Sequence, residues 1–536
     1  MEGPLTIVNK KRKSRALSVP MRILRGTVKL IFSVIILIFQ LAWVFFAVYY
    51  YRNVPYLSVI SYFVSIFVVL IICYTRQNSE YKLLWVMVIL LLPFAGTVWY
   101  LLYGYGRSTP KRIQKEAEKA FLLNIPQNGE NTELTDERDK KIFTLLNKLS
   151  RMPLYSGQDV IYFTDGAPMY KDMLEKIESA RHYVFIESFI VSEGRMLDEL
   201  EALLTRKAKE GVIVNILFDS VGSYGRLKRA TMERLQNHQN IEIAAFNRVG
   251  ISLGPYINYR DHRKIVIVDG KYSYVGGINI ADEYVHYIER YGFWRDGGVC
   301  IEGEAIEPLL YLFCQNWYMA AKVRLDINYF RSFIIKYTEE KKNSGKSSSA
   351  KNADKNKVFV FGDTPADSFD PAYNCCMSLF ENAQKSICIS TPYLILDDKM
   401  SSALSRAAQS GVSVKILTPG IPDKKIVYAV TRSNYRNLIE NGVEIYEFTP
   451  GFNHCKSIVV DDKYALVGSI NLDYRSLLLH YEVGALIEND KCIGVVKNDF
   501  NEAVSKSKLV TAADTENRSV FYKILQFLLH ILAPLL

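Results

Sequence analysis

No two cysteines in this chain are spaced as CxxC, and no such pair precedes an HxxxH. The eight cysteines, at 73, 300, 314, 375, 376, 388, 455 and 492, therefore offer neither a zinc framework nor a disulfide scaffold. Cys375 and Cys376 fall in a helical pattern and read as buried thiols. Histidine is scarce, with seven among 536 residues. Excess positive charge is missing from most of the chain: residues 1–119 hold 16 Lys/Arg against 4 Asp/Glu, which leaves 50 against 52 for residues 120–536. A large portion so balanced cannot neutralise a polyanion, which excludes a basic nucleic-acid-binding domain. The length allows about three domains.

What the N-terminal part does contain is apolar sequence. Three runs, about 30–51, 56–74 and 83–103, are long enough to be expected as membrane helices, with Tyr49-Tyr50-Tyr51 and Trp99-Tyr100 at interfacial positions. The basic tail 1–29, with Lys10-Lys11-Arg12-Lys13, places the N-terminus in the cytoplasm; no small-residue cleavage site follows, so the anchor is uncleaved. Three full crossings would put the following chain outside. Arg107, Lys111, Arg112, Lys115 and Lys119 argue for the inside, and Pro93-Phe94-Ala95-Gly96 would break the third run. The expectation is a two- or three-segment membrane region over 30–106, a basic helical connector over 107–150, and a cytoplasm-facing remainder.

That remainder is duplicated. Tyr183-Val184-Phe185-Ile186 answers Ser386-Ile387-Cys388-Ile389, and the helix-to-strand junction at Gly211-Val212-Ile213-Val214 answers Gly411-Val412-Ser413-Val414. A helical pattern ending in glycine and followed at once by a β-branched run is an α/β crossover. Two similar α/β lobes of mixed sheet flanked by helices are expected at 151–338 and 358–505. The polar stretch 339–357, with Ser344-Gly345-Lys346-Ser347-Ser348-Ser349, reads as a disordered linker. A C-terminal segment, 518–536, is apolar with Tyr522, Lys523, Gln526 and His530 as a polar stripe, suiting an interfacial helix or one docked on the chain's own core.

Each copy ends in the same polar set. His262-Arg263-Lys264 runs to Asp269 and is followed by Gly276-Gly277-Ile278-Asn279; His454-Cys455-Lys456 runs to Asp461 and is followed by Gly468-Ser469-Ile470-Asn471. Seven histidines would yield on the order of 0.02 chance matches to HxKxxxxD, so two at matching places carry weight. On a strand, residues i and i+2 face one side, and each His/Lys pair would then point together into a cleft between the lobes. Lys264, Lys456, Asn279 and Asn471 suit the oxygens of a phosphoryl group. One histidine can attack phosphorus while the other handles the proton of the leaving oxygen, without a metal. Alternation turns Cys455 away from the cleft into its lobe. Asp269 and Asp461 complete the motif and join the catalytic set with the two His/Lys pairs, although their strand-end positions suit a structural role.

On these residues the chain resembles the phospholipase D superfamily, marked by a duplicated HxKxxxxD. It is similar in particular to bacterial cardiolipin synthases, through Leu92-Pro93-Phe94-Ala95-Gly96, Trp294-Arg295-Asp296, Ser390-Thr391-Pro392-Tyr393, Gly451-Phe452-Asn453-His454 and Asn471-Leu472-Asp473-Tyr474-Arg475-Ser476. The resemblance implies two phospholipase D-type lobes behind a transmembrane region in the bacterial cell membrane. It also implies a phosphatidyltransferase that joins two phosphatidylglycerols into cardiolipin and glycerol through a phosphohistidine, with anionic membrane lipid as partner and no cofactor. It gives His262 as nucleophile and His454 as general acid and base; the near-symmetric motifs alone leave these roles open. It also implies a histidine-orienting carboxylate per lobe: Glu482, 28 residues beyond His454, and Asp296, since the same offset from His262 falls on Arg290. The rival readings are a membrane phospholipase D releasing phosphatidic acid, a superfamily nuclease, and a non-catalytic membrane scaffold. Two complete motifs weigh against the scaffold.

Overall fold

In a computed structural model of the chain, the described residues are 55–75, 79–104, 134–248, 258–344, 356–366 and 369–516, with single helical positions at 38, 42, 526 and 529. The basic tail 1–29, nearly all of the run 30–51 and the connector to residue 133 lie outside them. The chain divides into two compact units: one holds residues 1–111, 249–259 and 531–536, and the other holds the rest.

In the first unit, helix Pro55–Tyr74 is followed by Ser79–Leu91, Pro93–Trp99 and a π-helical turn Tyr100–Gly104. The third apolar run is thus interrupted, as its proline requires: Pro93 has no N–H to donate and starts a new helix. The Pro93 carbonyl accepts from the hydroxyls of Ser65 (2.8 Å) and Thr97 (2.6 Å), so the break is satisfied inside the unit. Val68, Ile72, Trp85, Ile89 and Tyr100 form its small core. The other side of helix Pro55–Tyr74 presents Phe63, Phe67 and Leu70 to the outside. Among the described residues no helix is long and apolar enough to cross a membrane.

The second unit contains both lobes, each built on a sheet. Six strands of the seven-stranded sheet run, side by side, Gly298–Glu302, Tyr272–Gly276, Ile265–Val268, Tyr183–Ser188, Ile213–Asp219 and Ile241–Phe246. The nine-stranded sheet repeats this order with Glu482–Glu488, Tyr464–Gly468, Ser457–Val460, Ser386–Ser390, Ser413–Pro419 and Glu444–Phe448. In both, the last three strands pair in parallel and the others antiparallel. The crossover helices Arg195–Lys209 and Asp398–Gln409 precede Gly211 and Gly411, whose φ values of 97° and 92° end each helix at little cost. Met196, Leu197, Leu200 and Leu204 on one face of Arg195–Lys209 enter the core of the first lobe. Cys375 and Cys376 are buried in helix Pro371–Glu381.

Two expectations are corrected. Helix Ile327–Asn343 runs through the first residues of the expected linker, because Lys341 is paired with Asp159 and with Glu302 (2.7 Å) and need not stay solvated. Residues 345–355 lie outside the described ones. The described end of the connector is helix Glu137–Ser150, which packs on the second lobe through Phe143 against Phe359 and Arg138 against Asp461. Tyr155–Ser156, assigned by sequence to the first lobe, pairs with Val358 and Lys357 as an edge of the second sheet.

Asp269 and Asp461 are not in the cleft. They follow strands Ile265–Val268 and Ser457–Val460 at the end remote from the histidines. Asp269 accepts the backbone N–H groups of Arg181, His182 and Tyr183, each at 2.8 Å, and Asp461 accepts those of Gln384, Lys385 and Ser386. Each aspartate thus clamps the start of its neighbouring strand, and the catalytic grouping is withdrawn for both. Asp269→Ala leaves three amides without an acceptor, at about 1–3 kcal/mol per unmet group. Urea unfolding should show a loss of about 3 kcal/mol or more, while the folded fraction keeps its specific activity; an unchanged midpoint with lost turnover would restore a catalytic role.

Candidate active site

The two HxK segments are not strand residues. They form extended lead-ins, His262 after the isolated bridge Asp261↔Tyr481 and His454 after the short strand Gly451–Asn453, just before strands Ile265–Val268 and Ser457–Val460. The expected alternation survives: Lys264 Nζ donates to the carbonyl of His262 and Lys456 Nζ to that of His454 (2.5 Å). All four side chains are buried.

The carboxylates are exchanged between lobes. His262 of the first lobe faces Glu482 of the second, with Nδ1 at 2.9 and 3.1 Å from the two oxygens. His454 of the second lobe faces Asp296 of the first, with Nδ1 at 2.5 Å from Oδ2. This corrects the same-lobe pairing that the sequence offsets suggest. The exchange has a backbone cause. Strand Phe293–Arg295 pairs in parallel with Gly451–Asn453, and Tyr481 bridges Asp261, so each carboxylate follows a segment laid beside the other lobe's motif. The His262 N–H donates to Tyr481 O (2.9 Å) and the His454 N–H to Arg295 O (2.7 Å).

The two pairs differ in charge state. Glu482 also accepts the hydroxyls of Ser469 and Ser476. Burial works against its charge, yet His262, His480 and Lys264 hold it below the usual carboxylate range. Asp296 has the Gly297 N–H (2.8 Å) as its further donor, and burial pushes it up to about 6 despite Lys456. Burial pulls His262 down to about 3 against the pull of Glu482, and drives His454 well below its ordinary value, with Lys456 acting the same way. With both shifted downward, both imidazoles are neutral at ordinary pH. An ionised acceptor at Nδ1 requires the Nδ1–H tautomer, which leaves the His262 Nε2 lone pair free.

Asn279 and Asn471 are buried beside the pairs. The Asn279 amide donates to the Tyr284 hydroxyl (2.7 Å) and its oxygen accepts from the Ile190 N–H (3.0 Å), while Asn471 Oδ1 is buried without a partner. Sequence reasoning did not find the two serines or the work of Arg263, whose guanidinium donates to the carbonyls of Glu482 (3.0 Å), Leu312 (3.3 Å) and Asp363 (3.1 Å). An arginine in a buried motif was the available signal. Cys455, its counterpart, is buried as alternation predicted, but beside the Tyr162 hydroxyl of the first lobe (3.5 Å) rather than wholly inside its own lobe. Among the described residues, His262, His480 and Glu482 are the one group spaced to hold a metal, their ligand atoms lying within 4.8 Å of one another.

A family model described as cardiolipin synthase, phospholipase D-like domain, matches residues 173–289 and 376–504, and one described as phospholipase D-nuclease N-terminal matches 63–104. A cardiolipin synthase of Alkalihalophilus pseudofirmus is 32% identical over 90% of this chain and 94% of its own length. The chain belongs to the cardiolipin synthase family of the phospholipase D superfamily. A cardiolipin synthase of Halalkalibacterium halodurans is likewise 32% identical, over 89% of this chain and 93% of its own, and an uncharacterised protein of Streptococcus mutans is 33% identical over 87% and 99%. The crystal structure of a phosphatidylserine synthase from Haemophilus influenzae shares the fold, with a TM-score of 0.55 and 17% identity over 75% of this chain and 98% of that one.

In this cardiolipin synthase family member, burial lowers Lys264 to about 7 and Lys456 to about 8. Each lysine holds an anion only while protonated, so affinity is full below these values and is lost as pH rises through about 7 and then about 8. A soluble phosphodiester such as glycerophosphoglycerol keeps its own charge throughout. Its inhibition constant should weaken on the order of tenfold per pH unit between about 7 and 8 and more steeply above; a constant flat from pH 6 to 9 would contradict the lysine assignment.

Proposed function

We propose that the chain makes cardiolipin from two phosphatidylglycerols. His262 Nε2 attacks phosphorus of the first lipid; the P–N bond forms as the P–O bond to glycerol breaks, and the departing oxygen takes the proton carried by His454 Nε2. The glycerol hydroxyl of the second lipid then gives its proton back to His454 and attacks phosphorus. The P–N bond breaks and His262 is restored.

The observation that carries this reading is the inequality of the two crossed pairs. A nucleophile must begin neutral and become cationic on phosphorylation, which a carboxylate held ionised favours; Glu482 meets that need. A general acid must hold a proton at working pH. Asp296, raised to about 6, can share one with His454, and a bound phosphodiester offsets the lysine charge that adds to burial in holding His454 neutral. Lys264, Lys456, Asn279 and Asn471 bind the phosphoryl oxygens, with Asp296 and Glu482 orienting the histidines.

The lipid substrates imply a location. We read the helices over 55–104 as part of a multi-pass anchor in the bacterial cell membrane, with the lobes on the cytoplasmic side and the flanking Lys/Arg clusters against anionic headgroups. Most of the C-terminal segment lies outside the described residues; Gln526 Nε2 donates to the Ala429 carbonyl of the second lobe (3.1 Å), which supports the docked reading over the interfacial one.

The full chain, purified into phosphatidylglycerol vesicles, should release glycerol and form cardiolipin in equal amounts. Phosphatidic acid as the main product would overturn the transferase reading in favour of a phospholipase D.

A further inference from the structure

The two halves of the site match in strand register. Gly276 opposes Gly298 and Gly468 opposes Gly484, so Asp296 and Glu482 occupy matching places, two residues before those glycines. The residue two positions before each carboxylate is then Trp294 in one half and His480 in the other. Both rings flank the histidine of the opposite motif in the same way: Trp294 lies 5.3 Å from His454 with 45° between planes, and His480 lies 5.5 Å from His262 with 40°.

The geometry matches and the chemistry does not. Trp294 belongs to an aromatic cluster with Tyr284 and Phe452. His480 puts a second imidazole beside the His262–Glu482 pair. Its side chain is 10% exposed, and its Nδ1 stands 3.7 Å from Glu482 Oε1, too far for a hydrogen bond but close enough to help hold that carboxylate low. Both of its ring nitrogens are buried without a hydrogen-bond partner, as is the Trp294 indole N–H. A buried polar atom left unmet costs stability, and this position has one in both halves of the site. A ligand bound in the cleft would meet it.

We propose that His480 is a third histidine of the active site, one that touches the substrate: a ring N–H of His480 donates to a phosphoryl oxygen of the group being carried by His262. The inference rests on the transferase reading and deepens it, because it makes the His262 half chemically distinct from its pseudo-symmetric partner. His480 needs no proton transfer for this role. It supplies one donor, in addition to the lysines and asparagines, on the side where phosphorus bonds to nitrogen.

The test uses the full chain in phosphatidylglycerol vesicles. His480→Ala should lower kcat roughly 10²-fold, with KM changed by no more than about twofold, and should slow formation of the phosphatidyl-histidine in a single turnover. His480→Gln keeps an N–H donor and should recover most of that loss, although both variants remove the imidazole packing. A wild-type kcat in His480→Ala would overturn the proposal. So would equal losses in the Ala and Gln variants, since that pattern belongs to packing. If the wild-type enzyme itself makes no cardiolipin, the function reading fails instead.

Discussion

The site depends on two hydrogen bonds that cross between lobes, His262 to Glu482 and His454 to Asp296. Neither lobe holds a finished catalytic pair. Each imidazole is oriented, and its charged form supported, by a carboxylate that folds with the other half of the chain. A buried hydrogen bond to a charged carboxylate contributes about 1.5–3 kcal/mol, so the lobes hold each other in register. Arg263 strengthens the junction by donating to carbonyls of residues from three separated segments, and Arg295 does so by donating to Asn453 (2.7 Å) and Ser390 (3.1 Å). The duplication makes one site from two halves.

Near-symmetry leaves room for divided labour, and a few substitutions supply it. Ser469 adds a donor to Glu482, whereas a side chain at the matching Gly277 would overlap the carboxyl of Asp296. The first carboxylate is therefore surrounded by donors and stays ionised, and the second is raised towards neutrality. Arg263 against Cys455 and His480 against Trp294 extend the difference outward. Both halves keep the same backbone path while the local fields around their histidines diverge.

Much of this was legible in the residues. The two HxKxxxxD motifs, the glycine-ended helices before Ile213–Asp219 and Ser413–Pro419, and the apolar alternation that buries Cys455 are local patterns, and local geometry enforces them. The exchange of Asp296 and Glu482 was not legible, because offsets along the chain count residues within a lobe and say nothing of which lobe lies opposite. The same limit applies to Tyr155–Ser156, whose partner strand starts about 200 residues later. Asp269 and Asp461 are written into the motif but serve backbone amides, a role that shared spacing with catalytic residues conceals. Lys341 shows that a polar run need not be a linker where carboxylates are waiting for it.

The central claim is that the pair with the ionised carboxylate is the nucleophilic one. Acid-quenched enzyme that has reacted with phosphatidylglycerol can be digested and its phosphatidyl-histidine located by peptide mass spectrometry. The account predicts the adduct on His262, and its accumulation there in His454→Ala. An adduct on His454 in the unmodified enzyme would contradict it.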